Sequence, residues 1–220
     1  PENAAVSYYN IGVLYGELDD AENSIKYFEK SIEADPLYLR SYDAVSRVYE
    51  LLGEPEKGGS AFDGYLKMRP GDTDVLQLSA EIYYRGGLYD EAAERYEMIL
   101  TLDPEHRDAL FSIGVIRMKK EEYGKAAEYF ERSLKQQENN AVLLYYLGLC
   151  YEELGDTEKA LENFRKTTEI DKNHINAYYR MGNIYNQKGI LKENVNVFDE
   201  VFERNSEKKE YYYLLAAVYI

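Results

Sequence analysis

The feature that most constrains this chain is a period. Pro36, Pro70 and Pro104 each follow an apolar stretch and lie 34 residues apart. Gly12, Gly114, Gly148 and Gly182 share a second place in the same register, with Ser46 and Ala80 filling the gaps. Their neighbours recur with them: Tyr8, Ile11 and Tyr15 around Gly12; Tyr42, Val45 and Tyr49 around Ser46; Leu144, Leu147 and Tyr151 around Gly148; Tyr178, Met181 and Tyr185 around Gly182. Sixteen residues after each small residue comes an aromatic, in turn Phe28, Phe62, Tyr96, Phe130, Phe164 and Phe198. No insertion or deletion breaks the register. A fixed period of this length predicts an array of like supersecondary units.

The local spacing says what one unit is. Leu144, Leu147, Gly148 and Tyr151 recur at three- and four-residue steps and line one helical face. Ala160, Leu161 and Phe164 begin a second such face, and between the two lies Gly155-Asp156, a helix-ending glycine followed by an N-cap. Gly53, Gly87 and Gly189 hold the same turn, and Pro55 suits the first turn of a helix. The small residues let the paired helices approach closely. One pair cannot cover its own apolar faces, so stability must come from stacked neighbours.

Six units result: 5–38, 39–72, 73–106, 107–140, 141–174 and 175–208. Their pattern resembles the tetratricopeptide repeat (TPR), a helix–turn–helix of this length with aromatic, Leu-Gly, Tyr, Ala, Phe and Pro signature residues. The small residue of the second helix matches as Ala92, Ala126 and Ala160, with Ser24, Gly58 and Asn194 as variants. Tryptophan never opens the pattern, and Glu138, Lys172 and Ser206 replace its proline. The resemblance implies an all-α, right-handed superhelical solenoid, one domain over residues 1–220. Residues 209–220 would then form the first helix of a seventh, incomplete repeat. Because Tyr211–Ile220 offers no polar side, that helix is expected to be covered, either by further chain of a longer protein or through self-association.

In TPR proteins the first helices line a concave groove. Carried over, the lining residues include Tyr9 and Val13; Arg40, Asp43, Arg47 and Glu50; and Gln77, Glu81, Tyr84 and Arg85. They continue as Phe111, Val115 and Met118; Val142, Tyr145, Leu149 and Glu152; and Tyr179, Asn183 and Asn186. The early part is charged, whereas Phe111, Val115, Met118, Tyr145, Leu149 and Tyr179 form an apolar track, and binding is expected to centre on residues 107–174. The peptide-binding candidates are Tyr9, Val13, Arg47, Tyr84, Arg85, Phe111, Val115, Met118, Tyr145, Leu149, Tyr179 and Asn183. The pairs that would make a chaperone-type carboxylate clamp read Tyr9/Val13, Asp43/Arg47 and Gln77/Glu81, and none matches. The asparagine ladder of glycosyltransferase-type TPRs is missing as well.

Composition narrows the partners. With 41 Asp and Glu against 26 Lys and Arg, the net charge of −15 opposes binding to nucleic acid or an anionic membrane surface. No apolar run is long enough for direct membrane insertion. Cys150 has no second cysteine to pair with, and His106 and His174 sit in separate, equivalent loops. Neither suggests a metal site, and no cofactor is expected. The acidic pairs Asp19-Asp20, Glu121-Glu122 and Glu152-Glu153 fall at helix ends and turns, where solvated carboxylates are ordinary. Gly58, Gly59 and Gly64 cluster in one second helix and mark an expected soft joint. The reading is a non-enzymatic scaffold that holds a peptide or helix of a protein partner, its compartment left open with the cytoplasm favoured. A self-assembling structural scaffold and a recruiting arm of a larger enzyme are the alternatives.

Overall fold

The computed structural model describes residues 2–190 together with Lys192 and Asn196. The expectations for Asn194, Phe198 and residues 209–220 lie outside the described residues. The helices are α1 (Glu2–Glu17) and α2 (Ala21–Ala34), then α3 (Leu39–Leu51) with α4 (Pro55–Ser60) and α5 (Asp63–Met68), then α6 (Thr73–Arg85) and α7 (Tyr89–Leu102). They continue as α8 (Arg107–Lys119) and α9 (Tyr123–Leu134), α10 (Ala141–Glu153) and α11 (Thr157–Ile170), and α12 (Ile175–Gln187). No strand occurs among the described residues. The chain forms two compact units, residues 1–116 and 117–220, divided within α8.

The connections show why the register holds. After the first helix of every repeat one residue adopts left-handed backbone: Asp19, Gly53, Gly87, Glu121, Gly155 and Gly189, with φ from 58° to 77°. Glycine adopts this conformation without steric cost, whereas a Cβ there costs roughly 1–2 kcal/mol. Asp19 and Glu121 therefore hold the turn under strain.

Except at Tyr38, the last residue of a repeat caps the next first helix with its side chain. The Asp72 carboxylate accepts the Val75 amide at 3.2 Å, and the Asn140 side chain accepts those of Val142 and Leu143 at 3.0 and 3.1 Å. His106 and His174 accept through Nδ1 from Ala109 and Ala177, at 3.3 and 3.2 Å. The two histidines are thus helix caps, each satisfying an amide left orphaned at a helix start.

Second helices end by a different device. Asp35, Asp103 and Asp171 each accept the amide two residues on, at 3.0, 3.1 and 3.0 Å, and so close α2, α7 and α11. Gln137 holds that place after α9. Its longer side chain accepts from Asn140 Nδ2 instead, at 2.9 Å, and α9 stops at Leu134, two residues early in the register.

Packing follows from small residues facing large ones. In the first unit, a Cβ added to Gly12 would fall 2.6 Å from the Phe28 ring. Ser24 and Ser31 donate to the α1 carbonyls of Gly12 and Ala5 at 2.9 and 2.7 Å, so the polar atoms at this contact are satisfied. Phe62, Leu76, Ile99, Leu110 and Ile113 are fully buried around the later helices of that unit. In the second unit the same relation recurs, with Gly148 2.4 Å from Phe164 by the same measure. Ala160, Phe164, Ala177, Tyr178, Met181, Ile184 and Tyr185 form its continuous core beyond α10. The signature tyrosines divide accordingly. Tyr42, Tyr83, Tyr178 and Tyr185 are buried, while Tyr8, Tyr15, Tyr49 and Tyr151 are half-buried.

The helix carrying three glycines is interrupted, α4 ending at Ser60 and α5 starting at Asp63. Each glycine lowers helix propensity by about 1 kcal/mol relative to alanine. At the break the Gly59 carbonyl accepts the Ser79 hydroxyl from α6 at 2.9 Å. The glycines also have a packing use. A Cβ at Gly59 would fall 2.5 Å from Tyr83, and one at Gly58 would lie 3.3 Å from the Ser46 carbonyl.

Candidate functional site

The first-helix residues of the first unit are largely engaged with one another. Tyr9 packs 5.5 Å from Phe28 and edge-on to Tyr38 at 5.7 Å, with Val13 half-buried one turn on. Arg47 meets Asp43 at 3.1 Å, yet its side chain stays 73% exposed. Arg85 grips both oxygens of Glu50, at 2.8 and 3.0 Å. Gln77 donates to Glu81 at 2.9 Å, and Tyr84 lies 5.6 Å from Tyr89. Exposed ion pairs of this kind add about 0–1 kcal/mol each, so their effect is chiefly to neutralise the face. Phe111 and Val115 are half-buried on α8.

The second unit presents a different face. Tyr145 on α10 is ringed by aromatic groups: His174 at 4.6 Å, Phe164 at 5.7 Å and Tyr146 at 6.2 Å. Arg180 of α12 bonds Tyr145 and donates to Glu152 at 3.2 Å, joining the two first helices. Burial holds the Glu152 carboxyl above the usual carboxylate range, with the Arg180 guanidinium acting in the opposite direction. Leu149 packs partly against the core, and Met118, Tyr179 and Asn183 are half-buried. Val142, at the start of α10, is 51% exposed.

The sequence singles out Tyr145 but gives no sign of the groups that hold it. Arg180, Glu152 and His174 come from three separate segments, and His174 is there because it caps α12. A signal did exist. Glu50 and Glu152 occupy the same place in their repeats, and in both cases an arginine of the next first helix completes the pair.

The remaining candidates carry no reactive arrangement. Cys150 is fully buried, and burial pushes its thiol up to about 12, which leaves it protonated and inert at neutral pH. Among the described residues no group of three or more His, Cys, Asp or Glu is placed to hold a metal ion. No described helix is long and apolar enough to cross a membrane.

Comparison with known proteins agrees with this architecture. Sequence models of the tetratricopeptide repeat match residues 5–36, 78–141 and 141–174. The solved structure of MamA is 26% identical, covers 76% of this chain and 97% of its own, and superposes with a TM-score of 0.67. YrrB, described as a TPR protein with an unusual peptide-binding site, is 22% identical over 88% of this chain and 98% of its own, with a TM-score of 0.66. PilF of Pseudomonas aeruginosa is 18% identical over 98% of each chain, with a TM-score of 0.60. No curated protein sequence matches the chain. TPR proteins are in general non-catalytic interaction modules. With matches to the repeat distributed along the sequence, helical pairs in unbroken register and TPR proteins as structural neighbours, the chain belongs to the tetratricopeptide repeat family.

Proposed function

We propose that this chain is a non-catalytic docking module that holds a peptide of a protein partner along the first helices of its second unit. Leu149 and Tyr179 supply the apolar contacts, with Met118 and Asn183 flanking them. Tyr145, fixed by His174 and Arg180, is the rigid platform between them. The observation that carries this reading is the half-buried apolar set on α10 and α12, whereas Arg47 and Arg85 on earlier first helices are paired with Asp43 and Glu50. Partly exposed aromatic and aliphatic side chains on a preorganised surface are the usual anchors of a peptide interface. The peptide-binding site of YrrB, a protein of the same fold, adds support by analogy. In the first unit, exposed Arg47 would tune approach and salt dependence rather than hold the peptide.

The test begins with selection of binding peptides from a displayed library. Calorimetry then compares the wild-type chain with the Leu149→Ser/Tyr179→Ala double variant. Loss of about 2 kcal/mol or more of binding, with the helical circular dichroism unchanged, supports the assignment. Unchanged affinity in a folded double variant contradicts it.

A further inference from the structure

The second unit holds a cleft of about 560 Å³ away from its first-helix face. It opens between the last turns of α9 and α11 over the loop that joins α9 to α10. Three places of the repeat register meet at it. Gln137 bonds Asn140 in place of the turn that Asp35, Asp103 and Asp171 make, and α9 ends at Leu134. Glu138 stands where Pro36 stands in the first repeat. Leu144, like Leu76 and Leu110, stands where Tyr42 and Tyr178 stand in their repeats.

Tyr42 shows what this place can hold. Its ring is 3% exposed, packs against Tyr65 at 5.8 Å, and lies over Gly64, while its hydroxyl donates to the Pro36 carbonyl at 3.0 Å. The residues matching Tyr42, Gly64 and Pro36 in the later register are Leu144, Lys166 and Glu138, and all three line the cleft. The cleft therefore corresponds to the space that a tyrosine of the chain's own fills in the second repeat.

We propose that this cleft is a second docking site, which receives an aromatic side chain of a partner peptide carried beside a basic residue. Leu134, Leu144 and Ile170 give it an apolar floor and wall. The rim carries Glu131, Glu138 and Glu169 against Lys135 and Lys166. Lys166 is held at 2.7 Å by Glu162, which lies outside the cleft, so the rim is left with an excess of negative charge. An inserted phenol meets the apolar floor, and a neighbouring lysine or arginine of the peptide meets the acidic rim. The site shares none of these residues with the first-helix face, so either can fail while the other stands.

The test uses the peptide acetyl-Lys-Tyr-Lys-amide, with acetyl-Lys-Ala-Lys-amide as control, on the full chain labelled at leucine and isoleucine methyls. The tyrosine peptide is expected to shift the Leu134, Leu144 and Ile170 resonances, and the alanine peptide is not. Leu144→Tyr fills the cleft from within and should weaken the tyrosine peptide by about tenfold or more, the loss typical of an aromatic anchor. Glu138→Lys, on the exposed loop, should weaken it several-fold and tests the rim should the first variant fold poorly. Equal shifts from both peptides, shifts centred elsewhere, or full-strength binding to folded Leu144→Tyr would overturn the proposal. So would binding that Glu138→Lys leaves unchanged.

Discussion

Residues 39–72 and 141–174 run in one register yet are built for different tasks. Both bury the same signature places: Val45 and Leu147, Phe62 and Phe164, Ser46 and Gly148 are all under 6% exposed or fully enclosed. They differ at everything the signature leaves open. On the first helix of 39–72 Asp43 pairs with Arg47 and Glu50 with Arg85, and its second helix is broken into α4 and α5. The first helix of 141–174 carries Tyr145 and Leu149, and α11 is continuous over 14 residues. The comparison teaches that the repeat specifies packing at a few buried positions and leaves the lining, and even the continuity of a helix, to the local sequence.

The comparison can be broken most forcefully in the core of the later repeat. Leu147→Ala removes a side chain only 2% exposed and should cost about 2–5 kcal/mol, read from denaturant midpoints. Val45→Ala deletes less volume and should cost less. A larger loss at Val45 would show that the earlier repeat is the better packed of the two.

Gly148→Ala and Gly59→Ala test the close approaches. The new Cβ would fall 2.4 Å from Phe164 in one case and 2.5 Å from Tyr83 in the other. Overpacking of this kind should cost about 1–3 kcal/mol in each, partly offset in both by the gain in helix propensity. Thermal melts that place Gly59→Ala at or above wild type would mean that Tyr83 moves aside.

Hydrogen exchange then sharpens the contrast between second helices. Amides over 55–68 should exchange roughly tenfold faster than those over 157–170, because a glycine-bearing, interrupted helix opens at lower free energy. Equal protection would show that the burial of Gly58 and Gly59 outweighs the break.

The smallest effect concerns the left-handed turns. Glu121→Gly should stabilise by about 1 kcal/mol, since Glu121 holds φ 60° with a Cβ that glycine lacks. Asp19→Gly, at φ 58°, should gain less, because aspartate tolerates this region better than glutamate. Chemical denaturation resolves both.

Much of this was legible in the sequence, because period, small-to-large spacing and turn glycines are local and repeat. Gly53, Gly87, Gly155 and Gly189 all take the backbone that their place demands. The capping role of the histidines was not read, since a histidine cap gives no distinctive spacing beyond the place it shares with Asp72 and Asn140. Nor was the early end of α9, where Gln137, an amide one methylene longer than aspartate, bonds Asn140 instead. The first-helix candidates were legible as a set, but their neighbours were not. Tyr145 is fixed by His174 and by an arginine already paired with Glu152, contacts that join different helices and follow from how the repeats stack. A single-position pattern cannot report such pairs.

Photo-crosslinking tests the central claim most directly, that partners dock on the first-helix face of the second unit. A benzophenone amino acid is placed at Tyr179 in one variant and at exposed Glu158 of α11 in another, and each is irradiated with the selected peptide. The account predicts a covalent adduct from position 179 and none from 158. An adduct from 158 with none from 179, both variants being folded, would contradict it.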